Sequence, residues 1–271
     1  MQLASYFDRI GFEGVARPDF ETLQALHRAH LNAVPFENLD VQLHRPVVIG
    51  VESVFDKIVG RRRGGWCYEM NGLMGWALQE IGFDVVRLAG GVMRERVGDG
   101  QIGNHLCLLV SLDQPFLVDV GFGGSLAEPL PLRPGERFDP PFRVSLSDAG
   151  EGYWRYTELA HGAPFTFDFR TSAADETLLA AKCRFLQTDP SSPFVQNLVA
   201  QRRAGSRHLT LRGRVLTTTR PDGEDRIILA SPDELVSTLH NSFGLDAPEA
   251  ATLWPVICAR HDAVFSAKNQ R

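Results

Sequence analysis

A chain of 271 residues with 44% apolar side chains holds enough material for one large core or two or three smaller ones. Its formal charge of −5 is spread along the sequence, with no basic run long enough to track nucleic acid. No stretch approaches the roughly 20 apolar residues of a membrane span, and Met1–Arg9 carries an early acid and no apolar core, unlike a signal peptide.

Residues 1–84 are helical in character. A helical period runs through Pro18–His30, with Asp19 as its N-cap. His27 and His30 lie three apart on that helix and are expected to be solvated, not a metal pair. A second helix fits Val51–Ile58. Arg61, Arg62 and Arg63 are expected to form a solvated turn that braces Gly64-Gly65. From Cys67 onward, Met70, Met74, Ala77, Leu78 and Ile81 recur at spacings of three and four, one face of a helix that Gly82 ends. Cys67 therefore falls in the first turn, facing inward. Unpaired N–H groups and the helix dipole favour a thiolate at that place. A cysteine on an apolar face is also a good small hydrophobe, so a catalytic reading needs a base within reach.

From Phe83 to about Phe185 the period changes to two. Short strands fit Val85–Leu88, Phe142–Leu146, Tyr153–Tyr156 and Thr166–Phe169. Turns are expected at Arg133–Glu136 and Asp148–Gly152. The apolar runs on either side of Asp113-Gln114-Pro115 form a hairpin, with His105 opening the first strand and Asp119 near the end of the second. A two-residue turn would set Asp119 opposite Leu108, on the wrong face and roughly 10 Å from His105 along the strand. A longer turn or a bulge would correct both. After Pro190–Pro193 a helical piece is expected over Phe194–Arg203. Strands follow around His208–Leu216 and Arg226–Leu229, then helices opened by Ser231-Pro232 and by Ala247-Pro248. The pattern is α+β: a helical bundle over 1–84, an antiparallel β-barrel or curled antiparallel sheet over 85–189, and a connecting helix with an α/β lid over 190–271. Four cysteines, at 67, 107, 183 and 258, show no Cys-x-x-Cys pairing. They argue against zinc and for reduced thiols in a cytoplasmic protein.

Four blocks in order, Val34-Pro35-Phe36-Glu37-Asn38-Leu39, Arg63-Gly64-Gly65-Trp66-Cys67, His105-Leu106-Cys107-Leu108-Leu109-Val110 and Val118-Asp119-Val120-Gly121-Phe122-Gly123-Gly124, resemble the arylamine N-acetyltransferases. They lie in the first half of the chain, whose second half matches by length and texture alone; the His105–Asp119 connection is slightly shorter than is usual in that family. The resemblance implies a cysteine-protease-like core with Cys67 as nucleophile, His105 as base and Asp119 orienting the histidine. It implies acetyl-CoA as co-substrate, a small arylamine, arylhydrazine or N-hydroxyarylamine as acceptor, ping-pong turnover and no metal. It sets Phe36 and Phe122 against the acceptor, where the residues themselves leave a plain core role open. It also points to Gly123 and Gly124 as backbone donors to CoA, where a tight turn explains them equally well. A cysteine peptidase or transglutaminase-like enzyme would use the same triad, and a non-catalytic scaffold would keep only the fold.

Overall fold

A computed structural model of the chain describes residues 1–268; residues 269–271 of the expected C-terminal unit lie outside the described residues. The N-terminal part contains α1 (Leu3–Ile10), α2 (Phe20–Ala33), a short strand β1 (Phe36–Glu37), α3 (Leu39–Gln42), α4 (Val51–Phe55) and α5 (Cys67–Ile81). Asp19 caps α2 by accepting the Thr22 N–H at 2.8 Å. α4 continues as a π-turn over Asp56–Gly60. Gly82 ends α5 in the left-handed region at φ 104°, where a side chain would be strained. Met70, Leu73, Met74, Ala77 and Leu78 of α5 are buried against Leu23, Leu26 and Ile58. Contrary to expectation, His27 and His30 are not solvated: both are fully buried. His30 pairs with the Tyr6 hydroxyl at 2.9 Å, and His27 donates from Nδ1 to the Ala127 carbonyl at 3.2 Å.

The middle of the chain supplies β2 (Asp84–Val92), α6 (Arg94–Val97), β3 (His105–Ser111), β4 (Pro115–Val118), β5 (Leu130–Pro131), β6 (Gly135–Asp139), β7 (Phe142–Gly150), β8 (Tyr153–Leu159) and β9 (Phe165–Phe169). These eight strands form one antiparallel sheet in the order β5-β4-β3-β2-β9-β8-β7-β6. Its inner face gathers Leu88, Cys107, Leu117, Val144, Tyr156 and Phe167 into one cluster. Leu106, Leu108 and Val110, on the other face of β3, pack against α5. Of the expected barrel or curled sheet it is the curled sheet, not a closed barrel: among the described residues no strand pairing joins β5 to β6. Gly135 and Glu136, expected in a turn, begin β6. A helix not anticipated, α7 (Glu176–Thr188), follows the sheet and sends Leu179, Cys183 and Leu186 into the α5 core.

The expected helix over Phe194–Arg203 is also corrected. Only α8 (Pro193–Gln196) is helical, and Val199–Ala204 is strand β10. β10 joins β11 (Arg207–Arg212), β12 (Val215–Arg220) and β13 (Gly223–Ile228) in a second sheet, with β1 on its free edge. α9 (Pro232–Phe243), capped by Ser231 with Pro232 in its first turn, and α10 (Trp254–Lys268) complete the chain. Leu198, Ala200 and Leu211 form a core with Leu235, Leu239 and Phe243. Among the described residues no helix is long and apolar enough to cross a membrane.

Burial holds three imidazoles in their neutral form: it lowers His27 to about 4, His30 to about 3 and His208 to about 4, below the usual 6.5. The unfolded chain therefore takes up protons below pH 6.5 that the folded chain refuses, and stability must fall on acidification from 6.5 toward 4. Each histidine contributes at most roughly 1.4 kcal/mol per pH unit. Urea midpoints measured between pH 6 and 4.5, where these three groups outweigh the groups whose pKa folding raises, should decline steadily; a flat or rising profile there would contradict this burial.

Candidate active site

The start of α5 is set by two segments that zip together. Glu37 N–H donates to the Gly65 carbonyl at 3.0 Å, and Gly65 N–H to the Pro35 carbonyl at 3.3 Å. A Cβ on Gly64 would lie 2.2 Å from the Pro35 carbonyl oxygen, so only glycine permits the approach. Below this contact lies a buried charge cluster. Arg63 bonds Glu37 at 2.9 Å and Asp40 at 3.4 Å, and Lys57 bonds Asp40 at 2.8 Å and Glu69 at 2.9 Å. Arg63 is thus buried, not part of a solvated turn; Arg61 and Arg62 are the exposed members of that run. Burial works against the Lys57 ammonium, but Glu37, Glu69 and Asp40 outweigh it and raise its pKa. Glu69 also accepts the Trp66 N–H at 3.2 Å, which satisfies a donor at the helix start. Removing one partner of such a cluster typically costs about 3–5 kcal/mol.

Cys67, His105 and Asp119 come together at this helix start, and each is nearly inaccessible to solvent. The His105 Nε2 meets Asp119 Oδ2 at 2.6 Å, which leaves Nδ1 as the nitrogen for the Cys67 thiol. Burial disfavours the imidazolium, but the Asp119 charge and hydrogen bond, with a contribution from Cys67, outweigh it and push His105 up to about 10. The hairpin explains the geometry. Ser111 pairs with Pro115 and Leu108 with Val118, so the turn holds three residues, not two. By this register Asp119 falls opposite Cys107, two residues from His105 on the same face.

Asn71, one turn beyond Cys67, was missed by sequence reasoning. Its Nδ2 donates to Asp119 Oδ1 at 2.8 Å and to the Leu106 carbonyl at 2.6 Å, and its Oδ1 accepts the Val120 N–H at 2.9 Å. Gly121 N–H also donates to Asp119 Oδ1, at 2.8 Å. The signal was present: a lone amide on the inward face of an apolar helix, four residues after the cysteine.

Phe122 sets its ring 5.0 Å from His105 and stacks on Phe165 at 5.1 Å. Phe36 bridges to Gly65 beside Cys67 and meets Phe194 at 6.1 Å; Phe194 also lies 5.5 Å from Trp66 and was another residue not singled out from sequence. Gly123 and Gly124 form a left-handed turn against β10 and β11. A Cβ on Gly123 would strike Gln201 at 2.5 Å, and the carbonyls of the two residues accept from His208 and Arg203. A cavity of about 380 Å³ lined by Arg212, Arg214, Arg226 and Arg260 lies on the second sheet, with none of Cys67, His105 and Asp119 in its walls. Among the described residues no group of three or more His, Cys, Asp or Glu is placed to hold a metal ion.

An α+β chain with a cysteine at a helix start, facing a buried His–Asp pair, has the residues of a thiol acyltransferase. A family model described as N-acetyltransferase matches residues 19–252. The arylamine N-acetyltransferase of Mycolicibacterium smegmatis is 36% identical over 93% of this chain and 94% of its own length. That of Mycobacterium tuberculosis is 34% identical over 92% and 91%. A Mycobacterium marinum arylamine N-acetyltransferase solved in complex with CoA superposes with a TM-score of 0.86 at 34% identity, covering 97% of this chain and 99% of that one. The chain belongs to the arylamine N-acetyltransferase family and is an acyltransferase.

A Cβ on Gly121 would lie 2.6 Å from Cys67 Cα and 2.7 Å from Asn71 Nδ2. Gly121→Ala should push the start of α5 away from Asp119, at an overpacking cost of about 1–3 kcal/mol. Iodoacetamide should then alkylate Cys67 at least several-fold more slowly in folded variant protein. A parental rate would show that this contact does not hold the thiol in place.

Proposed function

We propose that the chain transfers an acetyl group from acetyl-CoA to an arylamine, arylhydrazine or N-hydroxyarylamine through an acetyl-Cys67 intermediate. The buried 2.6 Å His105–Asp119 pair beside Cys67 carries this reading. An imidazole whose pKa is raised to about 10 stays protonated at neutral pH and favours a thiolate partner. The Cys67 thiolate attacks the acetyl carbonyl, the carbon–sulfur bond to CoA breaks, and the CoA sulfur takes the His105 proton. The acceptor amine then attacks the thioester, returns a proton to His105 and releases the Cys67 thiolate. Asp119 acts through His105, and Asn71 and Gly121 act through Asp119. The CoA-bound M. marinum relative supports CoA as the donor's carrier.

In this proposal Phe36 and Phe122 wall the acceptor site, Phe194 and Phe165 extend it, and Gly123 and Gly124 face the donor side. The helical unit 1–84 offers the nucleophile to a sheet unit 85–189, in the manner of a cysteine protease, with 190–271 as the lid. Four free thiols suit the reducing cytoplasm.

Incubation with acetyl-CoA in the absence of an acceptor should acetylate Cys67, release one CoA per chain and leave Cys107 and Cys183 unmodified. Burial raises both of those thiols. Peptide mass spectrometry, with CoA-dependent acetylation of aniline as the partner assay, checks this. An acetyl group on another cysteine, or an active Cys67→Ala enzyme, would sink the assignment.

A further inference from the structure

Glu158 is a carboxyl that the mechanism does not use. It lies on β8 opposite Val144 of β7 and Phe165 of β9. In β7, Phe142, Val144 and Leu146 are buried while Arg143 is exposed. Glu158 therefore shares the inner face of the curled sheet with Tyr156, two residues before it. Its strand partner Phe165 is 42% exposed, at the rim, and stacks on Phe122, which in turn meets His105 edge-on. A carboxyl thus stands beside Phe165 in an aromatic wall that reaches His105 through Phe122.

Glu158 makes no ion pair among the described residues, and its Oε2 is buried without a hydrogen-bond partner. A buried carboxyl oxygen without a donor is costly, so its presence calls for a reason. Arg203 is near enough to act on it electrostatically. That guanidinium is already committed to the Gly124, Ser125, Asp139 and Pro140 carbonyls. The Ser125 hydroxyl lies close enough to Glu158 to lower its pKa, but it also bonds Tyr156 and the Phe122 carbonyl. Ser125 serves at most one side of the carboxyl, and Oε2 is left open to a donor from outside the chain.

We propose that Glu158 is a specificity residue of the acceptor site: its carboxyl accepts a hydrogen bond from a neutral donor at the far end of the acceptor, and it turns away acceptors that carry an anion there. This rests on the reading of the Phe122 wall as the acceptor site. The favoured substrates are arylamines with a second amine or a hydroxyl remote from the reacting nitrogen, and the disfavoured ones are aminobenzoates. Burial, opposed by Ser125 and joined by the Asp119 charge, raises Glu158 to about 8, while Arg203 and His105 pull it down. The rejection of anions therefore strengthens as pH rises from 7 to 9.

The test is the ratio of kcat/KM for 4-aminobenzoate to that for aniline, neither of which titrates in this range. Both acceptors draw on the same acyl-enzyme, so pH effects on the triad cancel in the ratio. In the parent the ratio should fall between pH 7 and 9; in Glu158→Gln it should stay flat and, at pH 9, exceed the parent's by on the order of tenfold, the scale of a like-charge contact in a partly wetted pocket. A folded Glu158→Met variant, which has no strong acceptor at that place, should lose preference for 4-aminophenol over aniline, chiefly in KM. A parental ratio that does not change with pH overturns the proposal without any variant, and so does an unchanged profile in folded Glu158→Gln. Failure to acetylate either amine at any pH would instead overturn the acceptor-site reading on which it rests.

Discussion

The Asp119 carboxylate is the joint on which the site depends. One oxygen holds the His105 imidazole, and the other accepts from Asn71 of α5 and from the Gly121 backbone. Through Asn71 the same joint also fixes Leu106 of β3 and the Val120 backbone. Helix, strand and loop therefore meet at one buried charge, and each needs that charge in order to be satisfied. Uncompensated, a buried carboxylate would be expensive; paired with an imidazolium and two further donors, it becomes the anion that keeps His105 charged.

A second buried charge cluster sets where the thiol lies. Glu69 takes an ammonium with one hand and the Trp66 N–H with the other, so the first turn of α5 cannot rotate without breaking the Lys57 pair. Arg63 ties the same region to Glu37 and Asp40, next to the strand that carries Phe36. Because β1 also pairs with β10, the second sheet is anchored to the helix start. Clusters of this kind contribute less to net stability than to fixing one arrangement, since replacement by apolar groups is often neutral. Here the fixed arrangement is the approach of Cys67 to His105.

Much of this was legible in the sequence, for physical reasons. The three- and four-residue spacing after Cys67, the Gly82 stop, and the Asp19 and Ser231 caps each follow from local geometry, and each matches the structure. The His105–Asp119 pair was legible only as a possibility, because its face depends on whether the turn holds two or three residues. What stayed hidden was long-range. β3 is buried on both faces, so its alternation is masked. Val199–Ala204 becomes a strand because β1 and β11 flank it, not because of its own pattern. His27, His30 and Arg63 read as surface groups, since their partners Tyr6, Ala127, Glu37 and Asp40 lie elsewhere in the chain. Asn71 was hidden in the same way: an amide on a helix gives no sign that it will find a carboxylate 48 residues on.

The central claim is that Asp119 keeps His105 protonated at the pH where the enzyme works. Nitrogen-15 NMR of the histidine side chains, followed from pH 6 to 9.5, tests it most directly. His105, assigned by its absence in His105→Gln, should keep the two protonated nitrogens of an imidazolium through pH 9, in line with a pKa of about 10. In folded Asp119→Asn, with the charge gone and burial left to act, it should be neutral at pH 7. A His105 that is already neutral at pH 7 in the parent protein would contradict the account.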